Sequence, residues 1–420
     1  MDVLRIGAVF DDVPVGARVV ASPCCGTPET LLRELGAHAG RTGAAHLAAG
    51  LLLGRFPFEP AVRSGHLRFT TWHVAGPGRA LSDDGLLDYL PLRAGDVIPT
   101  LAGAVDVALI RVTPPDRNGW CSLGPSTTYS RAAVEAARTV VAEIDPTLPR
   151  TSSASQVHLS EIHRFVESDE QTCRYRSQGA PDPRAAAVAD HVAALLPDGA
   201  TVQLGIGATS EALATPLTEL GANSGLRLLG LVTEAMIPLV ETIARCGNGP
   251  VRALELLGGP ELMAFADGHP GIEMASSAQL HDPAHLARTP RFVSVNSAAA
   301  VDLSGQVIAD SVGSRVISGI GGSADFFEGA HLSPGGLRVV AMPSTTSRGT
   351  STIVAEHALG SRVSVPWHSV DVVVTEHGAA WLKGRTMAER REALLAVADP
   401  AQRDALAGRP FPPTPIGAHA

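Results

Sequence analysis

The chain has 420 residues, a net charge of −9, and 45% hydrophobic against 18% charged residues. That length exceeds one ordinary core and predicts two domains, and the composition excludes a disordered or fibrous chain. The acidic balance gives no reason to expect nucleic acid or an anionic membrane as a partner, while a local basic groove for an anionic substrate stays compatible with it.

In chain order, MDVLRIGAVFDDVPVG lacks the basic start and apolar run of a secretory leader. No stretch reaches about 18 consecutive apolar residues, so no membrane-spanning helix is predicted. Residues 15–35 read strand, turn, helix: VGARVVASPCC, the breaker Gly26-Thr27-Pro28, then ETLLRELGAHA. Thr27 is placed to cap that helix, with Pro28 at its first position and Glu29 favourable against the macrodipole. Asp106–Val112 is an apolar strand, Thr113 to Gly119 a turn, Ser130 to Val141 a helix, and VVAEID a further strand. Strands alternating with helices predict a parallel sheet covered by helices.

Residues 174–186, RYRSQGAPDPRAA, are polar and carry two prolines, which sets a boundary between a first domain, 1–180, and a second, 181–420. The pattern then restarts with helix Ala185–Leu196, turn Pro197-Asp198-Gly199, strand ATVQLGIG and helix Ser210–Glu219. The second half thus repeats the device of the first, although no sequence repeat is visible. Next, Leu228–Val232 is a short apolar run of the kind that forms a buried parallel strand. Pro238 suits a first helical turn, and Leu239, Val240, Ile243 and Ala244 follow at helical spacing. Glu234 therefore falls in a strand-to-helix turn, at the carboxyl edge where ligands collect in an open α/β sheet. A glutamate there also serves as an ordinary surface or capping residue, and the segment alone does not decide between the two. The tail after Pro410 is expected to be loose. Five scattered cysteines (Cys24, Cys25, Cys121, Cys173 and Cys246) define neither a disulfide framework nor a zinc site, and a reducing cytoplasm is the default.

Two glycine-rich turns carry further chemistry. Gly205-Ile206-Gly207-Ala208 ends a strand, and its glycines let backbone approach a ligand closely. It is no dinucleotide fingerprint, because position 210 is Ser and no acidic residue follows about 20 residues on. Gly319-Ile320-Gly321-Gly322 exposes N–H groups that suit an oxyanion or a phosphate, yet no Lys-Ser/Thr follows as a P-loop demands. G-x-S-x-G and H-E-x-x-H are both missing, which removes the usual hydrolase elbow and the usual zinc protease.

At this point the residues carry a resemblance. The ordered stretches are DVALIRVTPPDRNGWCSLGPS (106–126), LPRTS (148–152), DGATVQLGIGA (198–208) and LGLVTEAM (229–236). They continue as the run from Phe292 to Ala330, SPGG (333–336) and VDVVVTEHGAAWLKGRTMAERR (370–391). From about Asp106 to Leu406 the chain resembles the acetyl-CoA hydrolase/transferase family, which includes 4-hydroxybutyrate and butyryl-CoA:acetate CoA-transferases. The resemblance implies two related open α/β domains with largely parallel sheets and an active site in the cleft between them. It implies Glu234 as the nucleophile, with Asn296 and the backbone of Gly321-Gly322 as oxyanion donors. It also implies a CoA- and acyl-proximal surface at Gly205, Ile206, Gly207, Ala208, Gly319 and Ile320.

Such a carboxylate attacks a thioester, passes through a mixed anhydride and becomes a glutamyl-CoA thioester, which an acceptor acid then reverses. The substrates implied are an acyl-CoA and a small carboxylic acid, with no permanently bound cofactor and no metal. The protein expected is a cytoplasmic homodimer, and the alternatives are an acyl-CoA hydrolase and a non-catalytic CoA-binding paralogue. Three positions depart from the family pattern: Thr352 and Trp367 stand where arginines are usual, and Pro238 replaces an aspartate.

Overall fold

The structure is a computed structural model that describes residues 6–42, 45–103, 105–170, 172, 174–177 and 182–409. The first sheet takes β1 Arg18–Ala21, β2 Ala45–Ala49, β3 Leu67–Thr71, β4 Asp88–Tyr89, β5 Val107–Val112, β6 Thr139–Ile144 and β7 Arg164–Glu167. They lie in the order β4-β3-β2-β1-β5-β6-β7, and every pair is parallel. The central β5 is buried at each position, which is why it reads VALIRV rather than alternating.

The second sheet takes β8 Thr201–Leu204, β9 Arg227–Thr233, β10 Val251–Leu257, β11 Ile272–Met274, β12 Phe292–Asn296, β13 Leu337–Ala341, β14 Val372–Thr375 and β15 Gly378–Trp381. Its order is β11-β10-β9-β8-β12-β13-β14-β15, parallel except for the last pair. Without β15 the two orders are identical. The repeat expected from the strand–turn–helix device is therefore present in topology, although sequence identity does not show it. In each sheet the winding reverses once, between β1 and β5 and between β8 and β12. Those are the switch points, where a crevice opens at the carboxyl ends of the strands.

Three helices matter below: α1 Glu29–Thr42, α2 Ile237–Arg245 and α3 Ser323–Leu332. Some expected bounds shift. The helix after Tyr129 ends at Ala136, because β-branched Thr139, Val140 and Val141 belong to β6. The stretch Ser210–Glu219 is two short helices, Ala208–Ala212 and Ala214–Gly221. Thr27 does not cap α1, since its hydroxyl donates to Cys24 O at 2.7 Å instead. The boundary at 180/181 and the tail after Pro410 lie outside the described residues.

The two sheets meet through main-chain bonds. β11 pairs only with Val251–Ala253, so the carboxyl half of β10 has an open edge. Pro125–Thr128, from the first half, fills it: Leu256 N–H donates to Pro125 O at 2.8 Å and Thr127 N–H to Leu254 O at 3.1 Å. Cys24 and Cys25, just past β1, complete the core of the second sheet, and Leu51 and Leu53, just past β2, pack against it. The carboxyl edge of the first sheet thus faces that of the second. Among the described residues no helix is long and apolar enough to cross a membrane.

Candidate active site

Glu234 follows β9 directly and opens one 3-10 turn, Glu234–Met236, before α2. Pro238 lies in the first turn of α2, where a missing N–H leaves no intrahelical bond unmade. The half-buried carboxylate is held by one main-chain donor, Gly259 N–H, at 2.6 Å from Oε2. Gly258 and Gly259 form the turn after β10, beside β9. A Cβ at Gly258 would sit 2.9 Å from Glu234 Oε2 and 2.9 Å from the Leu262 side chain, so only glycine admits the carboxylate there.

One strand over, β8 and β12 pair with Gln203 opposite Ser294. The two-residue strand period puts Ser294 and Asn296 on the same face. Ser294 Oγ donates to Gln203 Oε1 at 2.7 Å, and Asn296 Nδ2 donates to Gln203 Oε1 at 3.2 Å and to Ser294 Oγ at 2.9 Å. The structure thus places Asn296 on the strand end at the switch point, with its amide hydrogens turned inward. Donation to a ligand requires the amide to swing off Gln203 and Ser294.

The Gly205–Ala208 loop leaves β8 at the same edge. Gly207 has φ +103°, a conformation L side chains rarely adopt. Ile206 packs on the second core.

The second glycine loop does something composition could not reveal: it is stitched to the first half. Val74 N–H donates to Ser318 O at 3.3 Å and Ala94 N–H to Gly321 O at 2.8 Å. A Cβ on Gly319 would meet Trp72 O at 2.3 Å, and one on Gly322 would meet His281 Nε2 at 2.3 Å. These glycines serve close packing between the halves, and Gly321, at φ +61°, makes the turn. Nothing in the contacts brings Gly319–Gly322 to Glu234 or Asn296 directly.

Beneath Glu234 lie two groups from the interface. Cys25 is fully buried, with Sγ 3.8 Å from Gly258 O. Burial pushes its thiol up to about 11, and the charges of Glu255 and Glu234 act in the same direction. Glu255, on β10, is 2% exposed. Burial pushes its carboxyl up to about 8 against the opposing hydroxyls of Ser126 and Thr128. Thr128 donates its N–H at 3.3 Å and its hydroxyl to Oε1, while Oε2 has no hydrogen-bond partner among the described residues.

A cavity of about 640 Å³ opens beside Gly258 and Gly259, walled by the loops after β6 and β7 and by Met263. It reaches the two glycines that hold Glu234, so a ligand there would adjoin the carboxylate.

Where the family pattern would place arginines, Thr352 is buried and its hydroxyl donates to Pro343 O at 2.7 Å, and Trp367 is 46% exposed. Arg390 Nη1 donates to Trp367 O at 2.8 Å, so a cation from the helix Met387–Val397 stands at the second position.

Gly258, Gly259, Cys25, Gln203 and Ser294 are the site members that sequence reasoning missed. Gly258-Gly259-Pro260 was the available signal, a glycine pair and a helix-starting proline after an apolar strand, as at Glu234 itself.

The comparisons with known proteins agree with this geometry. Residues 8–174 match the acetyl-CoA hydrolase/transferase N-terminal domain, and residues 258–409 match the acetyl-CoA hydrolase/transferase C-terminal domain. The chain is 33% identical over 405 residues to the 4-hydroxybutyrate coenzyme A transferase of Clostridium kluyveri, covering 93% of this chain and 92% of that one. The crystal structure of 4-hydroxybutyrate CoA-transferase from Porphyromonas gingivalis superposes with a TM-score of 0.76 at 26% identity, covering 96% of each chain. RipA from Yersinia pestis shares the fold with a TM-score of 0.88 at 24% identity, covering 96% of each chain.

Proposed function

The chain belongs to the acetyl-CoA hydrolase/transferase family, and from that premise we propose that it moves CoA from an acyl-CoA to a carboxylic acid by a ping-pong reaction through Glu234. The observation that carries this reading is the Glu234 carboxylate at the sheet edge, with Oε2 on Gly259 N–H at 2.6 Å and neutral Gln203, Ser294 and Asn296 on the strands beyond it.

A carboxylate oxygen of Glu234 attacks the thioester carbonyl, the C–S bond breaks, and a mixed anhydride and CoA thiolate result. The thiolate then attacks the Glu234 carbonyl carbon, releasing the acyl group as its acid and leaving a glutamyl-CoA thioester. An acceptor acid runs the same steps in reverse. The nucleophile is a carboxylate, so attack needs no general base, and the barrier lies in the charge on the tetrahedral oxygen. Each preorganised donor to that oxygen is worth about 3 kcal/mol. Gly259 N–H is the donor already in place at the glutamyl oxygen. Asn296, once swung outward, and the Gly321-Gly322 backbone are the further donors in this reading, which rests for them on the family resemblance. Meeting carboxyl edges shield the thioester from water. The acting form in this proposal is a cytoplasmic homodimer.

Intact-protein mass after incubation with an acyl-CoA and no acceptor acid tests the reading, with Glu234→Gln run beside wild type. A gain of one CoA less one water on wild type alone is the expected result. Free CoA without an adduct would favour a hydrolase, and unreactive acyl-CoA would leave a CoA-binding protein.

A further inference from the structure

Residues 174–177 join the two halves, and they do not simply cross the gap. Tyr175 packs its ring against the second core beside Ile206. Its hydroxyl donates to Glu211 Oε1 at 3.0 Å and sits on the Gly207 N–H of the first glycine loop. Ser177 Oγ donates to Glu211 Oε2 at 2.6 Å, so the same buried carboxylate holds the strap at two points. Burial, with the Glu211 charge next, keeps the phenol well above its ordinary range and hence a donor. The main chain of Tyr175 lies against the Cys25 sulfur, which the Glu234 charge also reaches. Tyr175 and Glu234 therefore flank one thiol.

β8 and β9 are neighbours, with Leu204 opposite Gly230, so the Gly205–Gly207 loop and the Glu234 turn leave adjacent strands at one edge. Whatever is bonded to Glu234 faces that loop, and the group lying over the loop is the Tyr175 side chain. We propose that Tyr175 is a specificity-determining residue, whose ring closes the acyl side of the Gly205–Gly207 loop and restricts Glu234 to short acyl groups. This inference rests on acyl exchange at Glu234. A bulky acyl chain would have to displace the ring together with its bonds to Glu211 and Gly207. A short one fits with the strap in place.

The test uses the full chain as wild type, Tyr175→Phe, Tyr175→Ala and Glu234→Gln, with acetyl-, butyryl- and hexanoyl-CoA as donors and acetate or propionate as acceptor. Tyr175→Ala is expected to raise the hexanoyl-to-acetyl ratio of kcat/KM at least tenfold. Tyr175→Phe, which keeps the ring and loses the hydroxyl, should hold that ratio within about threefold while KM rises for all three donors. A fold defect would lower every rate together and leave the ratio unmoved, so an unchanged ratio in folded Tyr175→Ala overturns the inference. Calorimetric affinities for the same three thioesters separate the two readings. If wild type binds them but transfers nothing, the proposed reaction fails, and the chain-length preference of binding in Tyr175→Ala still decides the role of Tyr175. If wild type binds none of them, both fail.

Discussion

The two sheets wind in the same order, yet their switch points are built from opposite materials. At the first, Arg111 on β5 is fully buried and bonded on every side. It pairs with Asp145 at 2.9 Å and Glu143 at 3.5 Å, and it donates to Thr27 O, Ser168 Oγ and Glu170 O at 3.2, 2.9 and 2.6 Å. Glu143 accepts in turn from Thr30 and Ser168 hydroxyls at 3.1 and 2.6 Å. No charge there is left for a ligand. At the second, the strand ends carry neutral Gln203, Ser294 and Asn296, and the one carboxylate nearby, Glu234, is half-exposed with a single N–H on it. One crevice closes on its own ions as a structural joint, and the other keeps its charge facing outward. Identical topology therefore does not predict which switch point reacts. The side chains do.

The largest effect that sharpens this contrast is at Glu234. Glu234→Gln keeps the shape and the polar atoms and removes the nucleophile, so transfer activity should fall by about 10⁴-fold or more. Its unfolding midpoint should hold within about 2 °C, because a half-buried group with one bond contributes little to stability. A large stability loss in this variant would make Glu234 a structural residue like Arg111. The reverse holds at the first switch point. Arg111→Met leaves Glu143 and Asp145 buried without their cation, and urea unfolding should show a loss of about 3–5 kcal/mol. A variant that unfolds at the wild-type urea midpoint would break the comparison from the other side.

This contrast was only half legible in the sequence. Glu234 could be placed at a carboxyl edge because Leu228–Val232 and Pro238 mark a strand and a helix start by composition alone. The repeat could be inferred from the strand–glycine–helix device, and the sheet orders agree with it. Arg111 could not be read, because ARG inside VALIRV looks like a half-exposed strand position, and its partners Glu143 and Asp145 are far along the chain. The same limit hid Gly259, the donor on Glu234, and the packing duty of Gly319 and Gly322. Close approach between halves depends on which backbones meet, and local periodicity carries no information about that. Tyr175 was lost to a polar linker, where a single aromatic has no period to belong to.

The smallest effect concerns the boundary between the two regions. Glu255 lies on β10 where Pro125–Thr128 pairs with it, and the titratable groups recorded around it are Cys24, Cys25 and Tyr129, with Glu234 beyond Cys25. None is a cation, unlike the surroundings of Glu143. Burial raises the Glu255 carboxyl from 4.5 to about 8, so the folded chain keeps a proton that the unfolded chain has released. Between those values the folded state binds more protons, and the stability this group contributes is present in full below about 4.5 and declines as pH rises through 8. Glu255→Gln has the same shape and no proton to lose. The stability difference between variant and wild type, measured by urea unfolding from about pH 5 to about pH 9, should therefore move in favour of the variant by about 1–3 kcal/mol. Groups elsewhere titrate alike in both proteins and cancel from that difference. A difference that stays flat would show the carboxyl already charged inside the interface, and the boundary would then be built of ions like the first switch point rather than of neutral groups like the second.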